Sequence, residues 1–286
     1  MKRHALLVAL VAHLAVESAH GCMHPPRDYP GKMGSTIQEY LFFREGALIH
    51  MIANQRIASD RALPGEVAWV IPLPSVPVEY RTENDSLFKW LFHATEPRMR
   101  GIPKGGGSPS MGFVVHDLVQ VGEYEIKPVE IIDTSSGTEI NDWLFSNGYS
   151  RVPLQGLKYY LHPGACFLAI KVKKLKSKEE LLRPLHIVYR AKEVRLPLKF
   201  FANAGVFDVY LYVMGKHRSG SARTKLEPWG LRNSGHYQPD SAFVKKTGIK
   251  GMPEQDAEIF RYFGERINSK GNRIEKWKED PLILFD

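Results

Sequence analysis

The chain has 286 residues, 43% of them hydrophobic, and a formal net charge of +8 at pH 7. This length provides for a sizeable core, and it fits one large domain or one domain with an appendage. Beyond the N-terminal region, no stretch is both long and uncharged enough to cross a bilayer, which takes about 20 apolar residues, so we expect no transmembrane segment.

Residues 1–21 have the pattern of a secretory signal. Lys2 and Arg3 precede an apolar run over residues 5–16, and residues 19–21 include the small residues that signal peptidase reads. The sequence therefore predicts an exported protein, periplasmic or extracellular, with an uncleaved N-terminal anchor as the alternative. Export argues against nucleic acid as the partner. An anionic envelope polymer or another envelope protein would suit the positive charge, and an ordinary solvated surface is the simpler interpretation.

The chain has two cysteines, Cys22 and Cys166, and both remain after cleavage at residue 21. In an oxidising compartment such a pair usually forms a disulfide, so we predict a bond between Cys22 and Cys166. A lipid attached to Cys22 is the alternative, although Ala19 and His20 depart from the usual lipoprotein signal. A third hypothesis is copper binding by the free amine of Cys22 and the imidazole of His24.

Between residues 22 and 214 the pattern is mostly that of half-buried strands, in which apolar and polar residues alternate. A hairpin is predicted from residues 40–43 and 47–53, joined at residues 44–46, because Gly46 can take the left-handed conformation. Apolar residues also share one face around residues 67–73, 123–127, 166–173, 193–200 and 207–213, which predicts further strands. The prolines after Ile71 predict that pairing on one side of that strand ends there.

Short helices interrupt these strands. Residues 87–91 and 140–144 carry apolar side chains at helical spacing, and residues 178–182 show a weaker helical pattern. Because the strands do not alternate with long helices, a parallel sheet with crossover helices is not expected. The predicted fold class is mainly β with short helices (α+β): an antiparallel sandwich or barrel-like core with a few small packed helices.

The composition changes at residue 215. Residues 216–250 contain eight Lys or Arg and two acidic residues, and Ile259, Tyr262 and Phe263 then follow at helical spacing. Gly264 and Gly271 would weaken such a helix. We therefore predict three parts: a signal peptide at 1–21, a β-rich exported domain at 22–214, and a basic, partly helical C-terminal extension at 215–286.

No pattern of residues identifies a catalytic set. The glycine-rich run at residues 101–113 lacks the adjacent Lys and Ser or Thr of a phosphate loop, and we interpret it as a loop. His162 and Cys166 could form a base and a nucleophile, although Pro163-Gly164 implies a turn between them and Cys166 falls on an apolar strand face. Metal-binding and serine-nucleophile motifs do not occur, so we predict no metal and no cofactor.

Four segments occur in an order that resembles a bacterial exported family. They are AWVIPLP at residues 68–74, WLFSNGY at 143–149, FLAIKV at 167–172 and RPLHIVY at 183–189, and they follow Cys22. Together they resemble the family called domain of unknown function 2330, over roughly residues 20–214. No activity is established for this family, so the resemblance implies no catalytic residues. Its members often carry a further cysteine near the mature N-terminus, whereas this chain leaves Cys166 as the only partner for Cys22.

These observations lead to two hypotheses about function. The first is a non-enzymatic envelope or surface module that binds an anionic polymer or another envelope protein. The alternative is an enzyme, either a hydrolase or a thiol-dependent transferase, that uses Cys166 and His162.

Overall fold

The computed structural model describes residues 22–96, 119–132, 139–202, 204–215, 226–253, 257–269, 271–283 and 285. These residues form four short α-helices: α1 Leu87–Thr95, α2 Glu139–Ser146, α3 Leu154–Lys158 and α4 Ser241–Thr247. They also form fifteen strands: β1 Met23–His24, β2 Met33–Glu45, β3 Leu48–Ser59, β4 Glu66–Leu73, β5 Glu79–Thr82, β6 Val119–Val121, β7 Tyr124–Glu130, β8 Cys166–Lys173, β9 Glu179–Leu181, β10 Leu185–Arg190, β11 Val194–Arg195, β12 Phe207–Gly215, β13 Arg232–Tyr237, β14 Glu258–Ile267 and β15 Leu282–Ile283.

Most of these strands lie in two sheets that pack as a sandwich and do not close into a barrel. The small sheet has the order β1-β4-β8-β7-β6. The large sheet has the order β13-β14-β12-β2-β3-β10-β5, with β9 beside β3. Of its described pairs, β2 with β12 is parallel and the others are antiparallel. The predicted fold class, mainly β with short helices, is confirmed, and the sandwich is the form it takes.

The core between the sheets follows from the alternation in the sequence. Val67 and Trp69 of β4 have at most 1% of their surface exposed, and Tyr40 and Phe42 of β2 have at most 2%. Because every second residue of a strand points to the same face, strands such as β2 and β4 each send one apolar row into this core. Burial of each large apolar side chain contributes about 1.5–3 kcal/mol, so this layer is the main source of stability.

The large sheet is also partly covered on its other side, which we call the outer face. Leu41 and Phe43 of β2 point to this face and pack in one cluster with Leu87 and Leu91 of α1 and with Phe243 of α4. The strands of the large sheet are therefore apolar on both faces where these helices lie. Other parts of the outer face carry polar side chains, including Glu39 of β2 and Asn54 of β3.

Strand β4 ends in prolines, and their effect on pairing is the predicted one. On one side β1 pairs only with Ala68 and Trp69, whereas on the other side β8 pairs along the whole strand, including Pro72. Proline has no N–H to donate, so the ladder on the first side stops before Pro72. The segment 74–77 then carries the chain from the small sheet to β5 of the large sheet, which precedes α1.

The boundary predicted at residue 215 does not divide the structure. Strand β14 pairs with β12 along its length, and β13 extends the same sheet. The helix predicted from the spacing of Ile259, Tyr262 and Phe263 is wrong, because all three residues lie in β14. Ile259 faces the outer cluster whereas Phe260 and Tyr262 face the inner core, so the apolar spacing of a strand buried on both faces imitates that of a helix.

The end of the chain is also part of the fold. Strand β15 pairs with β11, and the buried carboxyl of Asp280 accepts hydrogen bonds from Tyr160 Oη at 2.6 Å and from Lys199 N at 2.7 Å. Burial raises the pKa of Asp280 from 3.8 to about 7. The described residues after 215 therefore extend the large sheet and contact the core, rather than forming an appendage.

Two further predictions of secondary structure are wrong. Residues 178–182 do not form a helix, because Glu179–Leu181 pairs with β3 as β9. The strand predicted over residues 193–200 stops after Val194–Arg195, and Leu198–Phe201 is a 3-10 turn. Pro197 cannot continue a ladder, so the alternating pattern beyond it does not lead to a strand.

Two predictions concern residues outside the described ranges, namely the signal peptide at 1–21 and the glycine-rich run at 101–113. The first ten residues of the basic segment, 216–225, also lie outside them. Across the described parts of the chain, every helix is too short or too polar to cross a membrane.

Candidate functional site

The predicted disulfide between Cys22 and Cys166 does not form. Both are free thiols with at most 1% of their surface exposed. The Cys22 carbonyl accepts a hydrogen bond from Val70 N on one side of β4, whereas Cys166 pairs with Leu73 on the other side. The two cysteines are therefore separated by two strand spacings of about 4.8 Å across the sheet, and by three residues of about 3.4 Å each along the strands. A disulfide needs Cα atoms within about 7 Å, so the sheet holds the thiols too far apart.

His162 and Cys166 do not form a catalytic pair. His162 is exposed on the turn before β8, with its Nδ1 3.5 Å from Pro163 O, whereas Cys166 is fully buried. Burial raises the pKa of the Cys166 thiol from 9.0 to about 12. A thiol with this pKa stays protonated near neutral pH and is a poor nucleophile. The geometry therefore gives no support to a thiol-dependent enzyme.

The stretch Cys22-Met23-His24 is buried at the edge of the small sheet. Met23 and His24 pair with β4, so their backbone is not free to wrap around a copper ion. Gln55 Nε2 donates a hydrogen bond to Cys22 Sγ at 3.1 Å, and a lipid on this sulfur would require β1 to leave the sheet. Across the described residues, no group of three His, Cys, Asp or Glu side chains could hold a metal ion.

The structure brings together four residues that no local sequence pattern connects. Asn54, Glu39, Tyr210 and Phe263 lie side by side on the outer face, on the neighbouring strands β3, β2, β12 and β14. We call these four residues the aromatic–carboxylate platform. Phe92 of α1 borders the platform, because its ring meets that of Tyr210 edge-on with centroids 5.8 Å apart.

The rings of the platform are partly exposed and firmly placed. Tyr210 and Phe263 stack with centroids 4.7 Å apart and ring planes 27° apart. The Arg261 guanidinium lies 4.8 Å from the centroid of Phe92 and donates hydrogen bonds to Phe92 O at 3.2 Å and to Ser234 O at 2.8 Å. These contacts fix the helix against the sheet, so the aromatic surface is formed before any ligand arrives.

Glu39 supplies the carboxyl group of the platform and is loosely held. Among the described residues it receives one hydrogen bond, from Asn54 Nδ2 at 3.3 Å. Burial raises the pKa of Glu39 from 4.5 to about 7, against the opposing effects of the Arg56 charge and the Asn54 hydrogen bond. Near neutral pH the side chain is therefore divided between the acid, which can donate a hydrogen bond, and the carboxylate, which only accepts.

Several polar atoms next to Glu39 lack a partner. Within the described residues, Asn54 Oδ1, Arg56 Nε and Tyr212 Oη are buried and form no hydrogen bond. Nearly all buried polar groups in native proteins have partners, and each exception costs about 1–3 kcal/mol. This part of the outer face would therefore be stabilised by an occupant that both donates and accepts hydrogen bonds.

A second carboxylate lies near the platform. Tyr210 pairs with Glu39 and Asp208 pairs with Ile37, so Asp208 and Glu39 are diagonal neighbours across β12 and β2. The strand spacing and the rise per residue place their Cα atoms about 8 Å apart. Asp208 is partly exposed and accepts a hydrogen bond from Arg266 N at 2.8 Å.

Another polar cluster on the outer face contains two histidines, and each of their ring nitrogens lies within hydrogen-bond distance of a polar partner. His50 Nδ1 lies 2.9 Å from His186 Nε2, while His50 Nε2 lies 3.1 Å from Glu45 and His186 Nδ1 lies 2.5 Å from Glu83. Arg81 Nε also reaches Glu83 at 3.0 Å. Burial lowers the pKa of His186 from 6.5 to about 4. We call Glu45, His50, His186 and Glu83 the Glu–His–His–Glu network.

The platform cannot be recognised in the sequence, because its members come from strands that are far apart along the chain. The spacing around Phe263 predicts a helix, and no local pattern indicates that β2 and β12 are neighbours. One signal was present in β12, where Val209 and Leu211 point to the core and the alternate positions would normally be polar. Tyr210 and Tyr212 occupy those positions, and large aromatic residues on the outward side of a strand suggest a binding surface.

Comparisons with known proteins add little to this geometry. No protein-family model and no curated protein sequence matches the chain. The resemblance to domain of unknown function 2330 therefore stays an expectation. The crystal structure of baculovirus P35 is similar at 11% identity with a TM-score of 0.43, over 73% of this chain and 72% of that chain. A likeness this distant transfers no property to this chain.

Proposed function

We propose that this chain is an exported bacterial envelope protein that binds a glycan chain on the aromatic–carboxylate platform without catalysing a reaction. The observation that carries the proposal is the platform itself, where stacked, partly exposed rings adjoin a loosely held carboxyl group and unpartnered polar atoms. The signal pattern at residues 1–21 supports export.

A sugar has the chemistry that the platform requires. The C–H face of a sugar ring can pack on an aromatic side chain such as Tyr210, and each hydroxyl group at its edge both donates and accepts hydrogen bonds. Asn54 Oδ1 and Tyr212 Oη are the atoms of this region that lack such partners among the described residues. An apolar ligand would leave these atoms unpartnered, and an ionised Glu39 would repel a phosphate group.

Binding of soluble hexasaccharides tests this proposal. The probes are cello-, chito- and laminari-hexaose, measured by calorimetry with the purified protein. Tyr210→Ala should weaken binding about tenfold, because it removes the ring on which the sugar packs. Phe145→Leu, which changes an exposed aromatic residue on another surface, is the matched control and should bind as the unmodified protein does. Equal affinities for all three proteins would contradict the platform as the binding site.

Fractionation tests the proposed location separately. The protein should appear in the periplasmic or extracellular fraction, with a mature N-terminus at Cys22. A cytoplasmic protein that retains residues 1–21 would contradict export, whatever the glycan measurements show.

The diagonal placement of Glu39 and Asp208, with Cα atoms about 8 Å apart, favours one second candidate, hydrolysis of the bound glycan. Inverting glycosidases use a protonated and an ionised carboxyl group about 6.5–9.5 Å apart. Glu39, with its raised pKa, would be the acid and Asp208 the base. Release of new reducing ends from the same hexasaccharides distinguishes the candidates. If the protein is a glycosidase, Glu39→Gln retains binding and loses product release; if the unmodified protein releases no product, it is a binding module.

A further inference from the structure

A second surface site lies beside the small sheet, away from the platform. The Phe145 side chain of α2 is 41% exposed, and the guanidinium carbons of Arg27 and Arg151 lie 4.0 and 4.3 Å from its ring centroid. The two guanidinium carbons are therefore no more than about 8 Å apart, since both lie close to the same point. We call Arg27, Phe145 and Arg151 the arginine clamp.

The backbone that carries the clamp is fixed. Arg27 N donates a hydrogen bond to Gly148 O at 2.9 Å, and Ser150 N donates one to Pro25 O at 3.2 Å. These bonds tie the segment after β1 to the turn after α2, so both arginines start from the same rigid unit. Contact with the ring further restricts their side chains, and this lowers the entropy that a ligand must remove on binding.

The positive charge of the clamp is not neutralised within the described structure. Asp28 and Asp142 are the carboxylates closest to it in sequence, and both are exposed. Neither guanidinium forms an ion pair or a side-chain hydrogen bond with any described residue. Each guanidinium has five N–H donors in a planar fork, so the clamp presents two unused forks to solvent.

The geometry points to phosphate as the ligand: we propose that the arginine clamp binds the phosphate groups of a soluble anionic polymer. A carboxylate has two oxygens in one plane, and a single arginine can donate hydrogen bonds to both of them. A phosphate has oxygens in a tetrahedral arrangement, so it can accept hydrogen bonds from two arginines at the same time. A chain of phosphates can also occupy the two forks separately, because both arginines are exposed.

Binding of long-chain inorganic polyphosphate tests the clamp, with inorganic phosphate and phosphatidylglycerol vesicles as parallel probes. Arg27→Gln and Arg151→Gln should each weaken polyphosphate binding at least fivefold and lower the slope of log affinity against log salt by about 1. The double variant should abolish binding, and inorganic phosphate should compete at millimolar concentration. Phe145→Leu should weaken binding two- to fivefold, because the arginines lose the ring that orients them.

Arg61→Gln provides the matched control, because Arg61 is an exposed arginine with no aromatic ring contact. It should bind polyphosphate as the unmodified protein does. Equal loss in Arg61→Gln and the clamp variants would show a general charge effect and overturn the proposal, as would unchanged binding by the clamp variants. Clamp-dependent binding to the vesicles and not to polyphosphate would assign the site to a membrane surface instead. Tyr210→Ala should leave polyphosphate binding intact, which separates this result from the glycan test.

Discussion

The outer face of the large sheet carries two polar clusters that are built in opposite ways. In the Glu–His–His–Glu network each ring nitrogen of His50 and His186 has a polar partner. Around the aromatic–carboxylate platform, Asn54 Oδ1 and Tyr212 Oη have none among the described residues. Completely partnered polar clusters add rigidity, whereas unpartnered groups lower stability and are retained where they serve another purpose. We therefore interpret the first cluster as structural and the second as a binding site.

The two clusters also respond to pH in opposite directions. The pKa of His186 is lowered, so the unfolded chain binds a proton more readily and the stability from this group is lost as pH falls from 6.5 toward 4. The pKa of Glu39 is raised, so the folded protein holds its proton longer, and stability is lost as pH rises from 4.5 toward 7. The two windows overlap, and a profile of the unmodified protein alone will not separate them.

The largest expected effect comes from breaking the satisfied network. His186→Leu leaves His50 and Glu83 buried without one of their partners, so it should lower the free energy of unfolding by about 3–5 kcal/mol at pH 7.5. The loss should be smaller at pH 4.5, where the unmodified protein has already lost the contribution of His186. Urea denaturation at both pH values measures this. His162→Leu, on an exposed turn, should change stability by less than about 0.5 kcal/mol.

Removal of the carboxyl group of the platform should change the free energy of unfolding in the opposite direction. Glu39→Gln should raise the free energy of unfolding by about 1–3 kcal/mol at pH 8, where the native carboxyl group must ionise in a poorly solvated position. At pH 4.5 the acid and the amide are both neutral, and the two proteins should be equally stable. Thermal unfolding at the two pH values tests this, and a loss of stability at pH 8 would show that Glu39 is a structural residue.

The smallest effect should come from a single hydroxyl group. Tyr212→Phe removes a buried oxygen without a partner, so it should be neutral or stabilise the fold by up to about 1 kcal/mol. Tyr124→Phe is the matched control, because Tyr124 Oη donates a hydrogen bond to Arg183 O at 2.5 Å. It should cost about 1 kcal/mol. If both substitutions cost the same, Tyr212 Oη has a partner in solution and the platform is less open than we infer.

Much of the fold could be predicted from sequence because local alternation determined it. In β4, β8 and β12 the apolar rows pack into the core between the sheets, and their alternation predicts these strands correctly. Errors occurred where the second face is also buried, as in β14, or where pairing supports a short segment with a weak pattern, as in β9. Alternation carries no information about which strands become neighbours, so the sheet order could not be predicted.

The candidate sites could not be predicted for the same reason. Reactive residue types in the sequence suggest sites at Cys22, His24, His162 and Cys166, but the fold separates or buries these residues. Glu39 and Tyr210 are ordinary residues in sequence, and their proximity depends on the parallel pairing of β2 and β12. Arg27 and Arg151 are also far apart along the chain, and the turn after α2 brings them onto one ring.

The parallel pairing of β2 and β12 has a consequence for how the chain folds. Strand β2 can pair with β3 as soon as the turn between them forms. Its other neighbour, β12, is synthesised only with residues 207–215, and β12 also pairs with β14, which follows still later. Contacts between such distant segments make folding slow, because the entropy of closing the loop is lost before the contacts form. The large sheet is therefore completed only after β14 has been synthesised, whereas β2 and β3 can pair much earlier.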